Sequence, residues 1–236
     1  MAGKGPGIFR ALKRAAGMES GSSGPGAGGQ DMSAIGLYHT STKIGSMSFR
    51  TVKDVASFKG KVLLIVKPKK PLGQAEVQAI VQRVQNGLGV LLVGDGGEDN
   101  SNLNPLAIWF GVQFNNDIVS TFDKMGATTN AGYTYVREHA ITEPLHIYTI
   151  DKSCSLRLRD WNRQVLLFSC QESFSDADGN EVWDTGEYLG SCAVMAQAEY
   201  GRGRAIFIGD AIMFERRKAQ DMQLLNLVAK WLGHEM

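Results

Sequence analysis

Val62-Leu63-Leu64-Ile65-Val66 is an unbroken apolar run, as expected of a strand covered on both faces. Pro68 and Pro71 then break the chain, and Gln74 to Asn86 sets Val77, Ile80, Val81 and Val84 at helical spacing. Gly87 and Gly89 end that helix, and Val90-Leu91-Leu92-Val93 forms the next buried strand. Strand, helix and strand in close succession predict parallel neighbours joined by a right-handed crossover.

Outward from this unit, Ile35-Gly36-Leu37-Tyr38 reads as a first strand. Gln164 to Phe168, Ala193 to Ala198 and Ala205 to Ile208 are further strand-like runs. The chain closes on an amphipathic helix with Met222, Leu225, Val228, Trp231 and Leu232 near one face. Asn115 to Arg163 predicts only short strands and loops. The expected architecture is one α/β domain over residues 33–236, a three-layer α/β/α sandwich around a mostly parallel sheet.

Residues 1–32 differ in kind. Gly21 to Gly29 is a Gly/Ser/Pro-rich run that cannot bury a core and reads as a flexible linker. Ahead of it, residues 8–18 wound as a helix place Ile8, Phe9, Leu12, Ala15 and Ala16 on one face. Lys4, Arg10, Lys13 and Arg14 make the segment basic, which suits a partner's groove or a peripheral contact with an anionic membrane.

Composition excludes some classes. Over 236 residues the net charge is +1, which argues against nucleic-acid binding through a broad basic field. No run approaches a membrane span, and the first residues lack an apolar signal core. The expectation is a cytoplasmic protein, membrane-associated if the tail engages lipid. Cys154, Cys170 and Cys192 form no CxxC pair and read as buried thiols, with a Cys170–Cys192 bridge left open.

Several motifs, taken as an ordered set, resemble the class I glutamine amidotransferase-like superfamily. They are Pro68-Lys69-Lys70-Pro71-Leu72 before a helix carrying Glu76, and Asn86-Gly87-Leu88-Gly89-Val90-Leu91-Leu92-Val93-Gly94-Asp95. Asn102-Leu103-Asn104-Pro105-Leu106 then runs into Phe110-Gly111-Val112, and His139-Ala140-Ile141-Thr142 is similar to an "HPIT" element with Ala140 replacing proline. Tyr200 to Asp210 resembles "YGKGRVVVIGD", and Leu225 to Leu232 the closing helix. Within the superfamily the likeness is to the GIFT-like domains that lack amidotransferase activity. It implies a flavodoxin-like fold and a role in binding a protein partner. A working amidotransferase places a cysteine on the turn after a central strand, with a His–Glu pair on a later loop. Here the turn reads Gly94-Asp95-Gly96-Gly97-Glu98, and the later strand ends in Asp210-Ala211-Ile212. The expectation is therefore a non-enzyme.

Two places carry site chemistry. Asp95, Gly96, Gly97, Glu98 and Asp99 follow a parallel strand, where ligands bind in open α/β sheets. Asp210 and His39 end other strands and share this candidate ligand-binding rim. Its acids would serve a metal-dependent hydrolase, and a cleft at strand ends would also suit a carbohydrate. Asp176-Ala177-Asp178-Gly179-Asn180-Glu181-Val182-Trp183-Asp184-Thr185-Gly186-Glu187 spaces oxygens as a twelve-position calcium loop does. Asp176, Asp178, Asn180, Val182, Asp184 and Glu187 are the candidate ligands, and calcium the one cofactor candidate. Glu181 stands where such loops place glycine. Read without a metal, the segment is an acidic hairpin tip.

Overall fold

The computed structural model describes residues 35–37, 50–52, 54–122, 128–129, 131–145, 148–216 and 219–236. The tail 1–32 and His39 lie outside the described residues. The chain begins its sheet with β1 (Ile35–Leu37), β2 (Arg50–Thr51) and β3 (Val62–Val66). Helix α1 (Gln74–Gln85) leads to β4 (Gly89–Val93). Short helical turns, among them α2 (Asn104–Ala107), precede β5 (Val112–Phe114), β6 (Ile118–Phe122) and β7 (Thr128–Thr129). Next come β8 (Ala131–Val136), β9 (Tyr148–Asp151), β10 (Leu156–Leu158), α3 (Trp161–Gln164) and β11 (Val165–Ser169). The chain ends with β12 (Ser173–Asp176), β13 (Ala193–Tyr200), β14 (Gly203–Ile208), α4 (Met213–Arg216) and α5 (Ala219–Leu232).

The main sheet runs β2-β1-β3-β4-β14-β13-β11-β8-β9, and β10 joins β13 to β5. From β2 to β14 every pairing is parallel. β3 pairs Leu64 with Leu91, and β14 pairs Ile206 with Leu91 from the other side. The expectation of a mostly parallel sheet is corrected beyond β14, where all pairings are antiparallel. The reason is local: only Gly201 and Arg202 separate β13 from β14, and so short a connection makes a hairpin. The result is a mixed α/β fold. β6, β7 and β12 form a separate antiparallel sheet.

Alternation along the parallel strands assigns their two faces. Leu63, Ile65, Val90, Leu92, Ala205 and Phe207 pack on the side of α1, with Val77, Ile80, Val81 and Val84. Val62, Leu64, Leu91, Val93, Ile206 and Ile208 pack on the side of α5, with Leu225, Val228 and Leu232. Burial on both faces is what the continuous apolar runs required. Helix α1 starts where the Glu76 carboxylate accepts the Gly73 amide at 2.7 Å. Helix α5 ends where the Arg204 guanidinium donates to the Trp231 carbonyl at 2.7 Å and lies 4.8 Å over the Trp231 ring. His139 meets the same ring edge-on at 5.5 Å, so it is half-buried packing and not the free surface histidine its loop position implies.

The end of α1 approaches β14 so closely that a Cβ on Gly203 would lie 2.0 Å from the Val84 carbonyl oxygen. Gly203→Ala should therefore push the helix off the sheet and cost more than about 2 kcal/mol. A urea melt that barely moves would contradict this packing.

Candidate functional site

The turn after β4 carries Asp95 into the interior, 6% exposed. Burial raises its pKa, opposed by the Lys67 ammonium. Lys67 Nζ lies 2.8 Å from Asp95 Oδ2 and 3.3 Å from Glu98 Oε1. Burial pulls Lys67 down, but the bonds to Asp95 and Glu98 outweigh it and hold it above its ordinary value. Lys67 follows β3 directly and takes a left-handed φ of 44°, an uncommon conformation for a side chain with a Cβ. Asp95 Oδ1 is buried without a hydrogen-bond partner; the nearby Ala211 amide favours the carboxylate electrostatically but makes no well-formed bond to it. Asn100 organises the turn. Its Oδ1 accepts the Asp95 amide at 3.0 Å, and its Nδ2 donates to the carbonyls of Asp95 (2.8 Å) and Asn115 (2.9 Å).

The space beyond the strand ends is filled by the chain itself. The Gly96 amide donates to the Lys152 carbonyl at 2.8 Å, and the Cys154 amide to the Gly209 carbonyl at 2.9 Å. Val119 N–H bonds the Ser153 carbonyl at 2.8 Å. A Cβ on Gly96 would meet Lys152 O at 2.5 Å, and one on Gly209 would meet Cys154 O at 2.2 Å. Two glycines thus let residues 152–154 lie directly across β4 and β14.

Asp210 is consumed in holding this arrangement. Its Oδ2 accepts the Asp151 amide at 3.1 Å and its Oδ1 the Met213 amide at 3.2 Å, at the start of α4. The rim acids do not converge as a set; Glu98 and Asp99 are exposed while Asp95 and Asp210 are buried. The three cysteines are free. Burial, then the charges of Asp117 and Asp95, pushes the Cys154 thiol well above its ordinary range. Burial likewise pushes Cys192 up to about 12. Neither forms a nucleophilic thiolate near neutral pH.

The 176–187 loop leaves the small sheet at β12. Among the described residues, Asp176, Asp178 and Glu187 each offer an oxygen, all within 4.8 Å of one another. Asp176 Oδ1 accepts the Gly179 amide at 2.7 Å and its Oδ2 the Glu181 amide at 2.9 Å. Asn180 Oδ1 accepts the Val182 amide at 2.7 Å, and its Nδ2 donates to Asp184 Oδ2 at 2.7 Å. Glu187 closes the loop, taking the amides of Ala177 (2.7 Å) and Asp184 (3.0 Å) on its two oxygens. Glu181 itself turns with φ 63°, so the bend usually given to glycine is made without one.

The two candidate sites, 77 residues apart between Asp99 and Asp176, line one open groove. Gly97, Glu98 and Asp99 form one wall and Asp176 to Gly179 the other, with Asn116, Asp117 and Lys152 between them. Asp117 was not singled out in the sequence, although it is the anchor of the groove. It is buried, accepts the Ser155 amide at 2.7 Å and the Ser175 hydroxyl at 2.6 Å, and also bonds the Ser155 hydroxyl. Lys67, Asn100 and Lys152 were missed as well. The Asn115-Asn116-Asp117 cluster was the available signal.

No family model matches the chain, and no curated protein matches it in sequence. Solved structures do match in fold. A structure described as "mmIFT52 N-terminal domain" is 16% identical over 84% of this chain and 97% of its own, with a TM-score of 0.64. A ThuA-like protein from Parabacteroides merdae is 13% identical over 86% of this chain and 90% of its own, with a TM-score of 0.51. At these identities the likeness is one of fold alone. No described helix is long and apolar enough to cross a membrane.

Two outcomes check this geometry. Alkylation of the native protein should label Cys170 and spare Cys154 and Cys192 until denaturant is added, as mass spectrometry would read. Asn100→Ala leaves buried backbone groups unpaired and should cost about 2–4 kcal/mol in a urea melt.

Proposed function

We propose that this chain is a non-catalytic binding module of the GIFT-like kind, tethered to a protein partner or membrane surface through its N-terminal tail. The observation that carries the reading is the closed strand-end crevice. Where the superfamily's enzymes need an exposed nucleophile and room for a substrate, this chain has a buried Asp95 paired to Lys67 and its own residues 152–154. The accompanying absence of cysteine from the turn 94–98 supports it. Purified protein given glutamine should release no ammonia above background; turnover would overturn the reading.

The binding surface of this module is the 176–187 loop, held in shape by calcium. Asp176, Asp178, Asn180, Asp184 and Glu187 supply side-chain oxygens and Val182 its carbonyl, enough for the roughly six to eight that calcium takes. An ion there replaces the repulsion among clustered carboxylates with attraction. Calcium at about a hundredfold its dissociation constant should stabilise the fold by about 2.7 kcal/mol, seen as a rise in Tm that chelator reverses and Asp178→Ala removes. An unchanged melt would reduce the loop to an acidic tip.

A second reading, carbohydrate binding, is favoured by an aromatic platform away from the acidic rim. Tyr135, 57% exposed, stacks on Phe168 with ring centres 5.7 Å apart, and Trp161 meets Phe168 edge-on at 6.1 Å. A glycan array without hits would exclude it.

A further inference from the structure

The 176–187 loop is apolar as well as acidic. Val182 (57% exposed), Trp183 (42%), Tyr188 (59%) and Leu189 (51%) present large apolar side chains to solvent within eight residues. Scattered exposed residues need no explanation, but a contiguous group marks an interaction surface. The tip is also pre-shaped. The Trp183 indole donates to the Glu187 carbonyl at 3.3 Å, and the Ser175 amide to the Tyr188 carbonyl at 2.9 Å. Beneath it Phe174 is fully buried and stacks on Phe122 at 4.9 Å.

Charge identifies the occupant. Residues 171–190 carry Glu172, Asp176, Asp178, Glu181, Asp184 and Glu187 and no basic side chain, while residues 1–18 carry Lys4, Arg10, Lys13 and Arg14 and no acidic one. The same stretch holds Ile8, Phe9 and Leu12 among its charges. Apolar groups interleaved with opposite charges are what two complementary surfaces require. The connection from Glu19 to Ala34 has 16 residues, which fully extended span about 55 Å. A domain of this size is about 45 Å across, so the linker can run over much of its surface.

We propose that the tip formed by Val182, Trp183, Tyr188 and Leu189 is the docking surface for this chain's own residues 8–18. Ile8, Phe9 and Leu12 cover the aromatic side chains, and Arg10, Lys13 and Arg14 lie among Asp178, Glu181 and Asp184. Docking in this way hides the tail from any partner or membrane until something displaces it. The inference does not need the loop to hold calcium.

Zero-length carbodiimide coupling of the full chain in chelator, read by mass spectrometry, tests it. Lys4 or Lys13 should couple to Asp178, Glu181 or Asp184 about tenfold more often than the exposed Lys59 and Lys69 do. In an equal mixture of isotope-labelled and unlabelled chains, those links should join residues of the same chain. Trp183→Ser with Tyr188→Ser, both at exposed positions, should lower their yield about tenfold with the melt unchanged. Absence of tail links, links spread over other acids, links between chains, or an unaffected double variant would each overturn the proposal. Loss of the calcium response alone would leave it standing.

Discussion

Residues 152–154 lie flat across the carboxyl ends of β4 and β14, and the rest of the candidate site follows from that contact. The Gly96 and Gly209 positions admit the segment because a Cβ at either would collide with its carbonyl oxygens. Once the segment is in place, Asp95 itself is buried and must be satisfied from within the protein. Lys67 supplies the counter-charge, reaching it from a left-handed backbone, which is strain tolerated for an electrostatic return. Asn100 then holds the turn's backbone groups. A half-buried ion pair of this sort adds little net stability, but removing Lys67 would leave the buried Asp95 carboxylate without its counter-charge. It fixes the turn more than it strengthens the fold.

Closure of the strand ends relocates the chemistry. The polar groups at the strand ends are turned inward, Asp210 on the amides of Asp151 and Met213, Asp117 on Ser155 and Ser175. The loop beyond β12 brings exposed acids and exposed aromatics together, Asp178, Glu181 and Asp184 beside Trp183 and Tyr188. That loop is carried by the second sheet, at the end of β12.

The parallel half of the fold was legible because period, length and punctuation agreed. Val62–Val66, Gln74–Gln85 and Gly89–Val93 all form as the apolar runs and helical spacing require. The antiparallel half was legible only in part: β11 and β13 form where apolar runs were read, but strand direction depends on which segments pair. β9 and β10 are short, and β8, β9 and β10 mix polar residues such as Thr134, Thr149 and Arg157 with apolar ones. The same gap hid the segment that closes the site. Nothing in Lys152-Ser153-Cys154 marks it as a cover, since its role comes from glycines far away in sequence. The clustering of Asp176, Asp178 and Glu187 was legible because the 176–187 turn is built from local hydrogen bonds.

The central claim is that residues 152–154 are a fixed part of the core and not a lid over a working site. Native-state hydrogen exchange at the amides of Gly96, Val119 and Cys154 tests it directly. A fixed segment predicts that all three exchange only through global unfolding, with the same free energy as the core amides of β4 and β14. Exchange at these amides by a local opening of much lower free energy would contradict it, and would return the strand-end crevice to the list of accessible sites.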